Sequence, residues 1–253
     1  MIHIGSILTP LALSAMTVRL AGVDVPRVGL GTNRLTTAVD HVTFVREAVA
    51  AGVRHVDTAH LYSGGESERA IGMALPGGRE DVLVATKGGY RAGEGRPDVL
   101  GEQIEQSLRS LGSEAIGLYY LHRVDPQTPL EESLGAISAY VDRGAIRHVG
   151  LSEVGVEQIE EARRVVPIAA VQNRYNVGER EHDDVVDFCE REAIAFVPYF
   201  PLRADGGPSV KLAWLLQRSP VILPIPGTLS IDHLRENLAA LAIEAGDAGD
   251  IVS

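Results

Sequence analysis

Residues 52–62 read Gly-Val-Arg-His-Val-Asp-Thr-Ala-His-Leu-Tyr, and the fold turns on how this stretch is parsed. Its valines follow an Ala-Gly pair that ends a helical pattern, which predicts a short buried strand over 53–56. Asp57 stands where that strand runs out. Tyr62 lies five residues on, in a loop that continues Ser-Gly-Gly. A carboxylate at the C-terminal end of a strand and a phenol in the loop after it face one cleft if the strand belongs to a parallel barrel, because such barrels gather their functional side chains at that end.

Working outward, strand-like and helix-like segments alternate with short connections. The strand candidates are 27–30, 53–56, 81–85, 117–121, 146–151, 168–171, 193–197 and 221–223. Between them, apolar residues recur at three- and four-residue steps, as in Leu100, Ile104, Leu108 and Leu111, or Leu130, Leu134, Ile137 and Val141, or Ile231, Leu234, Leu238 and Leu241. These stripes pack on a sheet and leave charges such as Glu102 and Asp142 to water. Eight strand-then-helix units predict an α/β fold of the (β/α)8 TIM-barrel type. A doubly wound open sheet is the alternative, but Gly29-Leu-Gly31-Thr-Asn-Arg lacks the last glycine of a dinucleotide-binding fingerprint.

Ahead of the first unit, residues 17–26 alternate apolar and polar around Ala21-Gly22, a hairpin pattern expected to cap one end of the barrel. Residues 1–16 are mildly apolar with no early Lys or Arg and read as an N-terminal extension. Residues 17–253 form one barrel domain, with a polar, glycine-rich tail at its end. The formal charge of −11 argues against a nucleic-acid partner. No apolar run is long enough to span a bilayer, and the lone Cys189 excludes an internal disulfide and fits a reducing, cytoplasmic setting. The histidines are scattered rather than spaced for zinc, so no metal is expected.

The residues that close the predicted strands are Gly31-Thr32-Asn33, Asp57, Lys87, His122, Ser152, Gln172-Asn173, Tyr199-Phe200 and Pro226-Gly227-Thr228. A strand-end Asp is ordinarily a turn or cap residue, a Lys a surface charge, a His a solvated or satisfied group, and a Tyr packing. Asp57, Tyr62, Lys87 and His122 arriving together from strands two, three and four are harder to explain that way. An ammonium beside a phenol is expected to lower the phenol's pKa and ready it as a proton donor, a carboxylate holds the ammonium, and an imidazole orients a carbonyl oxygen.

Asp57-Thr-Ala-His-Leu-Tyr62, Thr86-Lys87, Tyr120-Leu-His122, Gly150-Leu-Ser152, Val171-Gln172-Asn173 and the late Ile225-Pro-Gly-Thr with Glu236-Asn237 stand in an order that resembles the aldo-keto reductase superfamily. The resemblance runs from about residue 17 to 241. It implies a barrel reductase that moves hydride from a nicotinamide cofactor to an aldehyde or ketone, with Asp57, Tyr62, Lys87 and His122 as the catalytic set. It further implies that Ser152 and Gln172 bind the nicotinamide carboxamide and that Tyr199 stacks on the ring. Leu202, Gly227 and Thr228 then line the pyrophosphate and ribose, Glu236 and Asn237 meet the adenine, and Gly31 and Thr32 belong to the same cofactor-binding set. The expected cofactor is NADP(H), with NAD(H) as the second choice, and the expected partner is a small carbonyl compound.

Two features depart from that pattern. Glu153 stands where many relatives carry Asn, and the region after Thr228 is poor in basic side chains, Arg235 being the nearest fixed cation. The short link between Leu202 and Lys211 predicts an open cleft. Among other cations, Arg91, Arg96 and Arg123 have two readings, binding an acidic group or pairing with surface carboxylates, and the second is preferred. Within the same superfamily, the competing reading is a nicotinamide-binding sensor subunit with little turnover; a metal-dependent barrel hydrolase is disfavoured by the dispersed histidines.

Overall fold

The computed structural model describes residues 16–203 and 206–242. The expected extension, apart from Met16, and the glycine-rich tail lie outside the described residues. An antiparallel hairpin opens the chain, β1 (Thr17–Leu20) against β2 (Val23–Pro26), in the predicted register with Leu20 opposite Val23. Ala21 and Gly22 both take positive φ, the conformation a two-residue hairpin turn requires.

Seven parallel strands follow in sequential spatial order: β3 (Leu30–Gly31), β4 (His55–Asp57), β5 (Leu83–Gly88), β6 (Leu118–Leu121), β7 (Val149–Ser152), β8 (Ile168–Gln172) and β9 (Ala195–Phe196). Helices connect them on the outside: α1 (Val39–Ala50), α2 (Glu66–Ala74), α3 (Pro97–Leu111), α4 (Leu130–Asp142), α5 (Val156–Ala162) and α6 (Asp183–Arg191), with α7 (Pro208–Arg218) and α8 (Ile231–Ala239) after the last strand. The predicted stripes fall on α3, α4 and α8, where Leu100, Ile104, Leu134, Ile137 and Leu234 are fully buried.

The eighth expected strand, 221–223, does not form a ladder. The segment reads Ser-Pro-Val-Ile-Leu-Pro-Ile-Pro-Gly, and its prolines remove donors that a central strand needs. The ring closes instead through isolated parallel bridges, Phe196 to Ile222 on one side and Gly31 to Gly227 on the other. Gly29 and Gly31 donate to the carbonyls of Pro224 and Pro226, at 3.0 and 3.2 Å. Arg27, expected in a strand, lies buried across the seam, and its guanidinium donates to the carbonyls of Leu216, Ser219 and Ile222. That burial pulls its pKa down to about 10.

Two apolar cores result. The larger lies between the sheet and the helices. The smaller fills the ring, where Val18, Leu20 and Val25 of the hairpin plug one end against Leu83, Ala85, Leu118, Tyr120, Ala170 and Leu223. With the hairpin against that end of the ring, a cleft opens at the C-terminal ends of the strands.

Candidate active site

At the centre of the floor is Lys87, fully buried within β5. The expected strand over 81–85 is shifted, so Lys87 belongs to the ladder rather than following it. Its Nζ donates to Asp57 Oδ1 at 2.6 Å and to the Thr58 carbonyl at 2.7 Å, and stands 3.5 Å from the Tyr62 hydroxyl. Asp57 ends β4, and its second oxygen accepts from Gln172 Nε2 at 2.8 Å. Tyr62 begins a short 3-10 turn, Tyr62–Gly65, that leads into α2 through residues of positive φ. That turn swings the ring back until the Lys87 ammonium is 4.9 Å from its centroid. His122, just past β6, meets Tyr62 edge-on at 6.2 Å between centroids and Tyr90 at 4.8 Å.

The electrostatics differ from the sequence expectation in one respect. Burial raises the Tyr62 phenol above its ordinary value, and this outweighs the opposing pull of Lys87. The phenol is therefore not acidified in the resting site, because desolvation penalises a phenolate more than one cation at this distance relieves it. Burial pulls the Lys87 pKa down, but the carboxylate of Asp57 and then the Tyr62 hydroxyl outweigh it and hold it above the ordinary lysine value. His122 is pushed down to about 2, by burial first and then by Lys87 and Arg123. It is a neutral imidazole; its Nδ1 is buried without a partner among the described residues.

Above this floor runs a cleft of about 580 Å³. Of the predicted residues its lining includes Gly31, Thr32, Asp57, Tyr62, His122, Ser152, Gln172, Tyr199, Leu202 and Gly227, and Lys87 lies beneath it. Thr228 is buried beside Gly227 but outside the lining, its hydroxyl accepting from the Ser230 amide. Glu236 is exposed and Asn237 buried on α8, and neither belongs to the lining. Several expected ligand contacts already have protein partners. Gln172 spends its amide N–H on Asp57, and Thr32 bonds the Asp57 carbonyl and Ser67. Glu153, in a left-handed conformation, accepts from the Arg174 amide at 2.6 Å. Together with burial it pushes the Tyr199 phenol up to about 12.

Sequence reasoning missed Arg34 and Arg203 and preferred a surface ion pair for Arg123. Arg235 pairs with Asp232 on the surface, while Arg34 and Arg203 line the cleft near Gly227 and Phe200. Arg91 and Arg96 do pair with Glu94 and Asp98, but Arg123 makes no ion pair among the described residues and lines the cleft beside His122. Their positions carried a signal: Arg34 and Arg123 each lie within three residues of a strand end. Among the described residues no group of three or more His, Cys, Asp or Glu is placed to hold a metal ion. Nor is any helix there long and apolar enough to cross a membrane.

A parallel ring whose open end holds a buried lysine–carboxylate pair under a phenol and a neutral imidazole has the parts of a proton-donating reductase. Comparison with known proteins gives the same class. The family model described as the aldo/keto reductase family matches residues 27–207. An uncharacterised oxidoreductase of Schizosaccharomyces pombe is 36% identical over 267 residues, covering 92% of this chain and 87% of the relative. Pyridoxine 4-dehydrogenase of Escherichia coli is also 36% identical over 267 residues, covering 90% and 93%. A solved aldo-keto reductase of Klebsiella pneumoniae in complex with NADPH superimposes with a TM-score of 0.83 at 26% identity, covering 93% of each chain. The chain belongs to the aldo/keto reductase family. It is accordingly an NADP(H)-dependent oxidoreductase acting on a carbonyl, and the sensor reading falls away.

Proposed function

We propose that this chain acts as an alcohol dehydrogenase or carbonyl reductase in which Tyr62 delivers the proton, and that flat aromatic aldehydes suit its mouth. The observation that carries this reading is the contact of the Lys87 ammonium with both Asp57 and Tyr62 at the floor of an open cleft. The nicotinamide cofactor supplies hydride to the carbonyl carbon when bound. The rest is asked of the protein's own side chains.

A proton donor must hold its proton until the oxygen needs it, and the raised pKa of Tyr62 keeps the phenol intact at neutral pH. When the proton leaves, the phenolate forms beside a cation that is already in place, fixed by Asp57 and Thr58. A preorganised charge of this kind costs no reorganisation as the reaction proceeds. His122 is neutral and its buried Nδ1 finds no acceptor, so the tautomer that donates from Nε2 toward the cleft is the one suited to a carbonyl oxygen. Gln172 acts on the opposite side of Asp57 and fixes the carboxylate's orientation.

The cleft suits a dinucleotide in chemistry as well as size. Tyr199 is a half-buried ring in its wall, Ser152 offers a hydroxyl, and Arg34 and Arg203 supply positive charge beside Gly227 and Phe200. These would hold the nicotinamide, the carboxamide and the phosphates. At the substrate end, Tyr62, Tyr90 and His122 make an aromatic wall. A relative named for action on pyridoxine, itself a flat aromatic alcohol, is in keeping with that wall.

Substituting Tyr62→Phe tests the assignment. NADPH-dependent reduction of pyridoxal or benzaldehyde should fall by about 10²- to 10⁴-fold, with NADPH affinity changed less than about twofold. Turnover equal to the parent's would remove Tyr62 from the mechanism.

A further inference from the structure

The protein is acidic, yet its cleft is not. Asp57, the carboxylate in the lining, is spent on Lys87, while Arg34, Arg123 and Arg203 all line the cleft without a carboxylate partner among the described residues. Arg34 bonds the Gly227 carbonyl and Arg203 lies 4.4 Å from the Phe200 ring, so both sit where the proposed cofactor's phosphates would lie. Arg123 lies instead beside His122, Ser152 and Tyr90. Its Nη1 donates to the His122 carbonyl at 2.6 Å and to Ser152 Oγ at 3.1 Å, and its guanidinium lies 5.3 Å from the centroid of Tyr90.

These contacts fix the guanidinium without neutralising it. Nε and Nη2 have no partner among the described residues, and neither is sealed from solvent. An arginine that is half-buried, held in one orientation and left with a free fork of donors is preorganised for a carboxylate, which takes two parallel N–H bonds. Its neighbours Tyr90 and His122 form the aromatic wall of the substrate end. We propose that Arg123 is an anion anchor for the substrate, and that the preferred substrates are aldehydes or ketones carrying a carboxylate within about one ring's length of the carbonyl. The proposal rests on the carbonyl-reduction reading above and names its substrate class.

The test compares 4-formylbenzoate with its methyl ester, which has the same ring and carbonyl but no charge. The parent enzyme should favour the acid in kcat/KM by about 10- to 100-fold, the value of a charge-assisted bond pair, chiefly through KM. The preference should shrink as salt is added. Arg123→Met should bring the ratio close to one, whatever happens to the two rates in common, and Arg123→Lys should retain part of it. A parent ratio near one overturns the anchor, as does an unchanged ratio in Arg123→Met, which would leave Arg123 a brace for His122 and Ser152. If the parent reduces neither compound, carbonyl reduction itself fails as the reading. Calorimetric titration of the NADP-loaded protein with 4-formylbenzoate then decides the anchor alone: binding lost in Arg123→Met supports it, and equal or absent binding in the two proteins overturns it.

Discussion

Two buried histidines make this barrel sensitive to mild acid. His55, inside β4 and wholly buried, is held down to about 4 by desolvation, against the smaller opposing influence of Asp57. His122 is held down to about 2. In the unfolded chain both return to about 6.5. A group whose folded pKa is depressed contributes stability above its unfolded pKa and loses it as pH falls, because the unfolded state takes up the proton first. Each histidine should therefore cost about 1.4 kcal/mol per pH unit below 6.5. At pH 5 the pair should cost about 4 kcal/mol together, a large part of the 5–15 kcal/mol on the order of which domains are stable. Urea unfolding between pH 8 and pH 5 measures the slope. Glu68, buried with its pKa raised, works in the opposite sense, so the informative quantity is the difference between the parent and a His55→Asn, His122→Asn double variant. The variant should lose less stability than the parent as pH falls, by the share the two histidines supply. Equal slopes in the two proteins would show that neither imidazole is held neutral by the fold.

The same shifts govern catalysis. With Tyr62 raised above its ordinary value of 10 and His122 near 2, neither group changes charge between pH 6 and pH 9, so kcat/KM for benzaldehyde should be level across that window; a limb with its midpoint inside it would mean that another group carries the proton. Packing inside the ring supplies a separate test. A Cβ on Gly150 would fall 2.4 Å from the Tyr120 ring and 3.0 Å from the Ala170 carbonyl. Gly150→Ala should cost about 1–3 kcal/mol in urea unfolding, and an unshifted midpoint would mean that Tyr120 has room to move.

The proposed catalytic quartet was legible because side chains at the C-terminal end of a barrel strand have few roles, and Asp57, Lys87 and His122 each lie at or next to the end of a different strand. The hairpin was legible from Ala21-Gly22 and the flanking alternation. Other features depend on distances that no local pattern encodes. The failure of the eighth ladder was visible in Pro220, Pro224 and Pro226, but the bridges that replace it are tertiary. The net effect on Tyr62 turns on how completely the site excludes water, which spacing along a chain does not report. Gln172 illustrates the same limit: its place at the end of β8 marks it as a cleft residue, while its commitment to Asp57, 115 positions away, needs the closed ring.

The seam across which Arg27 lies joins parts of the chain that are far apart in sequence. Arg27 and the Ile222 carbonyl it grips are 195 positions apart, whereas every other neighbouring pair in the ring is formed by strands consecutive in sequence. Closure over so long an interval is entropically the most demanding contact and falls late in assembly. Ile225, Pro226 and Gly227 arrive with it, and they form one wall of the cleft. Until that closure forms, the cleft above Tyr62 and Lys87 lacks the wall that Ile225, Pro226 and Gly227 supply.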